Sequence, residues 1–160
     1  MRSSALITLA LATLATAACN PFHRDPVTEV RRDANLNSRW TAPLVTPTAL
    51  AGAVQMNGTA SMQPAASGAR TDFALRVANA TPGGLHPWQV HRGQCGMDGG
   101  VFGAADAYGS VRIGDDGRGE TGATIDTPTP TSGSYFVVVY ASAANPQTVV
   151  ACGNLAAPSR

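Results

Sequence analysis

The chain has 160 residues, with 11 Lys and Arg against 10 Asp and Glu, and a formal net charge of +1. That length suits one domain of ordinary size and is short for two. The balanced charge leaves no basic patch to call for nucleic acid and no acidic tail to call for a basic partner. Few aromatics, with abundant Gly, Ala, Thr and Pro, favour short strands and many turns over long helices.

Met1-Arg2 gives a positive start, and residues 5–15 form an apolar run of signal-peptide length, too short for a stable membrane span. The run ends in Thr16-Ala17-Ala18-Cys19, which resembles the lipobox of bacterial lipoproteins. The resemblance implies removal of residues 1–18 as a signal peptide and lipidation of Cys19. It also implies anchoring in the cell envelope, with Asn20 favouring the outer membrane facing the periplasm. Several acyl chains would hold the chain stably, at about 0.8 kcal/mol per buried methylene. The alternative is an ordinary secretory signal cut near Ala18, with Cys19 a free thiol. If Cys19 carries lipid, Cys95 and Cys152 are left as one pair in an oxidising compartment. Their bridge would remove ~4 kcal/mol of unfolded-state freedom in the chain-entropy account.

Residues 19–47 read as a lipidated N-terminus and flexible tether, with Pro21, Pro26, Pro43 and Pro47 among scattered charges and no sustained apolar period. A short helix over residues 27–35 is the alternative there. Trp40 would dock as an isolated apolar contact, and His23 lies far from the other histidines. From residue 48 the pattern changes to short alternating segments between turn residues. Strands are expected over residues 49–56 and 59–63, with Asn57-Gly58 as a break or bulge, then over 71–77 and 85–92. Residues 96–108 read as a Gly- and Ala-rich loop. A hairpin follows, 110–113 and 120–125 around Asp115-Asp116-Gly117. Pro128 and Pro130 interrupt. Residues 134–141 make the most apolar and central strand, Asn145-Pro146 turns the chain, and residues 148–152 close the fold. About eight strands without helices point to an all-β Greek-key barrel or sandwich over residues 48–157.

The stretch Gly84-Leu85-His86-Pro87-Trp88-Gln89-Val90-His91, with Cys95 after it and Ala151-Cys152-Gly153 near the end, resembles the copper/zinc superoxide dismutases. The likeness is closest to the short, loop-trimmed bacterial members and covers roughly residues 49–155. It implies a Greek-key β-barrel, a Cys95–Cys152 disulfide and a copper site. His91 matches one copper ligand, whereas Gln89 and Tyr140 stand where two further histidines are expected. The loop after Cys95 contains no histidine for a bridging imidazolate or for zinc. Val149 stands where the family has an anion-guiding arginine. His86 matches a structural histidine just outside the ligand set.

The residues alone lead the same way. Dismutation needs a metal cycling between two oxidation states, held by several imidazoles with one open position. After residue 18 the chain has His23, His86 and His91. His86 and His91 are separated by an odd number, so on a regular strand they face opposite ways. Met56, Met62 and Met97 are scattered and read as packing. Asp115-Asp116 reads as turn chemistry, and Asp98, Asp106 and Glu120 show no ligand spacing. Ser132 and Ser134 lack partners for nucleophilic catalysis. The expectation is a non-catalytic superoxide dismutase-like lipoprotein with no cofactor. One alternative is an envelope copper-binding or copper-buffering protein using His91, and another is a dismutase with an incomplete or shared site. The membrane, through Cys19, is the expected partner; the sequence names no protein partner, and a homodimer is compatible with it.

Overall fold

In the computed structural model of the chain, residues 38–159 are described. They form nine strands: β1 (Trp40–Leu44), β2 (Asn57–Pro64), β3 (Thr71–Ala78), β4 (Leu85–Gln94), β5 (Met97–Val101), β6 (Ser110–Arg112), β7 (Gly119–Ile125), β8 (Tyr135–Ser142) and β9 (Asn145–Leu155). The all-β sandwich expected from the sequence is therefore present. One antiparallel sheet has the order β1-β2-β3-β7, and the other has β5-β4-β8-β9 with β6 paired to β4. The β8 strand is flanked on both sides, as its apolar composition predicts.

Alternation builds the core. Trp40, Ala42 and Leu44 of β1 are buried while Thr41 and Pro43 between them are exposed. Phe73, Leu75 and Val77 of β3 face the opposing sheet, which supplies Trp88 and Val90 of β4 and Val137 and Val139 of β8. A strand's side chains alternate between faces, so one buried set per strand suffices for a two-layer core. The β8 strand is the exception, with four consecutive residues, Phe136 to Val139, buried. Its other face carries a second apolar cluster of Phe136, Val138 and Cys152, against which Cys95, Tyr140 and Val149 pack.

One side of the sandwich closes where β1 meets β9. Thr41 exchanges backbone hydrogen bonds with Ala156, and Val45 with Cys152. Gly153 permits this approach: a Cβ there would fall on the Pro43 carbonyl oxygen and 2.9 Å from Leu44 Cδ2. The glycine of Ala151-Cys152-Gly153 thus has a packing reason of its own.

Several local expectations are corrected. Residues 40–44, read as tether, are strand β1, and Trp40 is a core residue at 2% exposure. Residues 49–56 are not a strand: a 3-10 turn at Thr48–Leu50 is followed by a bend through Gly52, whose φ is +93°. The Asn57-Gly58 pair starts β2 and does not break it. The segment 96–108 contains strand β5 and a 3-10 turn, Ala105–Ala107. The β8–β9 turn falls at Ala143-Ala144, with the Asn145 N–H donating to Ser142 Oγ at 3.1 Å. Two strands gained and one lost turn about eight into nine.

Replacing Gly153 by Ala should force β1 away from β9 and lower the unfolding free energy by roughly 1–3 kcal/mol, the usual cost of overpacking. Urea denaturation of the variant against the parent measures it.

Candidate functional site

The outer face of the β4–β8 pair gathers the site. On β4, Trp88 and Val90 point into the core, so Gln89 and His91 point outward. On β8, Val137 and Val139 point inward, so Phe136, Val138 and Tyr140 share the outer face. The antiparallel register sets His91 opposite Phe136 and Gln89 opposite Val138. The His91 ring stacks at a tilt on Phe136, with centroids 5.4 Å apart.

His91 is 5% exposed, and both its ring nitrogens face protein groups. Nδ1 lies 2.8 Å from Asp98 Oδ1. Nε2 lies 3.2 Å from Gln89 Oε1 and 3.3 Å from Tyr140 Oη. The Gln89 amide N–H donates weakly to the Ala105 carbonyl at 3.4 Å, which turns its oxygen toward the ring. Asp98 Oδ1 also accepts the Gly100 N–H at 2.7 Å. The hydrogen bond from His91, then that from Gly100, holds the Asp98 carboxyl below its ordinary pKa. Burial, and then the Asp98 charge, raise the Tyr140 phenol, so its O–H stays intact at neutral pH. A cleft of about 360 Å3 opens beside this cluster, lined by Pro87, Gln89, Ser110, Tyr140 and Pro146 among others.

Asp98 reaches His91 because β4 and β5 form a tight hairpin. The turn is at Cys95-Gly96, with Gly96 at φ +86°, and Gly93 before it, at φ +105°, allows the close approach of β5, since a Cβ there would fall on the Met97 carbonyl oxygen. The pairing shifts between His91 and Gly93, which sets Gly93 opposite Asp98. The turn is tied down by the Cys95–Cys152 disulfide, with Cα atoms 6.1 Å apart. Cys95 N–H also donates to Asn154 Oδ1 at 2.8 Å.

His86 belongs to the other face, as its odd separation from His91 predicts. Its cross-strand neighbour is the core residue Val111. Nδ1 donates to the Tyr140 carbonyl at 3.0 Å, and Nε2 is buried without a hydrogen-bond partner. The two histidines therefore meet different atoms of one tyrosine. Gly84 makes room for the His86 ring: a Cβ there would lie 2.6 Å from Nε2.

The structure thus brings His91, Gln89 and Tyr140 together and keeps His86 apart. The missed member is Asp98, seven residues beyond His91. Gly93 and Gly96 around Gln94-Cys95 were the available signal, since a glycine-flanked turn folds the chain back on itself. Met56 and Met62 lie in the core, whereas Met97 is 65% exposed. Asp116 caps its own turn, accepting the Arg118 N–H at 3.0 Å. Val149 packs on the outer apolar cluster. Cys19 and His23 lie outside the described residues. Among the described residues, no group of three or more His, Cys, Asp and Glu side chains could hold a metal ion.

The pairing of Asp98 gives a signed pH dependence. Its folded pKa is depressed, so its contribution is present above about pH 4 and is lost as pH falls through the folded value. Asp98→Asn should therefore weaken the acid loss of stability, as read by urea unfolding from about pH 6 down to about pH 2.

No protein-family model matches the chain, and no curated protein matches it.

Proposed function

We propose that this protein is a non-catalytic, superoxide dismutase-like lipoprotein of the bacterial cell envelope, with the frame retained and the metal site converted to hydrogen bonding. The observation that carries the reading is the state of His91. It is the imidazole at the expected copper-ligand position, it is 5% exposed, and Asp98, Gln89 and Tyr140 surround both of its nitrogens. A redox copper site draws on several imidazoles. Here the neighbouring donors are a carboxamide and a phenol, and His86 is committed to a backbone carbonyl on the other face. This donor set does not fit the copper and zinc that the resemblance implies.

The motif residues support the rest of the reading. Gly84 seats His86, Gly153 seats β1, and Cys95 and Cys152 are bonded. A disulfide suits an exported protein, in keeping with Thr16-Ala17-Ala18-Cys19 as a lipidation signal for an outer-membrane anchor. Among the described residues, no helix is long and apolar enough to cross a membrane. The former metal face is then reused for packing or for binding an unknown partner, and the cleft beside Gln89 and Tyr140, lined by no charged side chain among the described residues, is where a partner would sit.

Purified protein incubated with copper should show no superoxide dismutase activity above that of free copper. Gln89→His with Tyr140→His should create a bound copper where the parent has none. Copper-dependent dismutation by the parent, abolished by His91→Ala, would sink the proposal.

The second reading is an envelope copper-buffering protein. It draws on the convergence of His91 Nε2, Gln89 Oε1 and Tyr140 Oη. Calorimetric titration with Cu(I) and Cu(II) separates the two: non-catalytic conversion expects weak binding indifferent to His91→Ala, and buffering expects tight binding that this substitution removes.

A further inference from the structure

The hydrogen-bond accounting around His91 is unusually constrained. An ionised carboxylate only accepts, so the proton between His91 and Asp98 belongs to Nδ1. In the neutral ring Nε2 is then a bare lone pair. With the amide nitrogen turned to Ala105, Gln89 presents its oxygen to Nε2, and an amide oxygen only accepts, so it cannot satisfy that lone pair. The Tyr140 hydroxyl, 3.3 Å away, is the side-chain donor in place for Nε2. The protons therefore run one way, from Tyr140 O–H to His91 Nε2 and from His91 Nδ1–H to Asp98. The Gly100 N–H donates to the same carboxylate oxygen at 2.7 Å.

This chain crosses three strands: Tyr140 lies on β8, His91 on β4, and Asp98 and Gly100 on β5. A metal with ligands on β4 and β8 would tie two of them. We infer that the Tyr140–His91–Asp98 chain takes over that tying role, with Asp98 the positioning residue that fixes the His91 tautomer, so that the site is held together without a metal. The inference rests on the functional reading above and extends it to a residue outside the family ligand positions.

Burial supplies the driving force. A buried polar group left unpaired costs about 1–3 kcal/mol, more than a typical hydrogen bond contributes when made. His91 is 5% exposed with its ring against Phe136, so each nitrogen has to be satisfied from within the protein. Asp98 performs this from a 59% exposed position, where its own charge remains solvated. A carboxylate on Nδ1 is also the usual way of fixing an imidazole's tautomer.

Ring-nitrogen NMR of the full chain, combined with thermal unfolding, tests this. Wild-type His91 should carry its proton on Nδ1, and neither a chelator nor one equivalent of Zn(II) or Cu(II) should move Tm. Asp98→Ala should shift the ring toward the Nε2–H tautomer and lower Tm by about 4 °C, the shift expected for one lost hydrogen bond. Asp98→Asn, whose side-chain oxygen still accepts, should restore the Nδ1–H form. If Asp98→Ala does not fold, the wild-type and Asp98→Asn spectra decide the matter. A wild-type Nε2–H tautomer, or a tautomer unchanged in Asp98→Ala, overturns the inference. So does a metal-induced rise in Tm that His91→Ala removes. A changed tautomer without any such rise overturns this inference alone; a His91-dependent rise without dismutase activity also turns the functional reading toward copper buffering, and dismutase activity overturns that reading itself.

Discussion

Strand β8 has no solvent face over its central residues, and much else in the structure depends on that constraint. Val137 and Val139 complete the core between the sheets, which leaves Phe136 and Val138 to be covered from outside. A two-layer sandwich normally leaves its outer faces to water, and the polar half of each strand serves that purpose. Here the outer half of β8 is apolar, so a second cover is required. The disulfide-tied turn after β4, the His91 ring and Val149 supply it. His91 is buried because it is part of this cover.

The chemistry of the site follows from that burial. An imidazole placed against Phe136 loses water on both nitrogens, and the chain replaces it with Asp98 at Nδ1 and with the Tyr140 hydroxyl at Nε2. The disulfide holds the turn that carries Asp98 toward the ring, so a covalent tie and a hydrogen-bond tie act on the same hairpin. The two histidines of the strand, which look alike in sequence, have separate roles. His86 uses the carbonyl of Tyr140 to fasten the inner side, and His91 meets the hydroxyl of the same residue on the outer side.

Much of the fold was legible in the sequence where alternation was strong. Phe73, Leu75 and Val77 mark β3, and the apolar run from Tyr135 marks β8, because burial of one or both faces writes itself into composition. Strand β1 was hidden by Pro43, which sits exposed on the sheet edge next to β9 and was read as part of a tether. Strand β5, with sequence Met97-Asp98-Gly99-Gly100-Val101, has neither alternation nor β-branched residues through most of its length. It is a strand because Gly93 permits the hairpin and β4 offers an edge. Residues 49–56 carry apolar residues without a pairing partner of strand length, and they turn instead.

The sequence by itself determined which residue types were available: two histidines an odd number apart on one strand, a glutamine between them, a tyrosine in the most apolar strand, and cysteines for a bridge. From these alone, opposite faces for His86 and His91 already followed. Only the tertiary structure decided what His91 does with its two nitrogens, since that depends on a carboxylate seven residues away and a phenol forty-nine residues away. Parity along a strand is a local property of the backbone. A hydrogen-bond partner across strands depends on register, on a bulge and on how tightly a glycine turn closes, and those are settled by the packing of the whole sandwich.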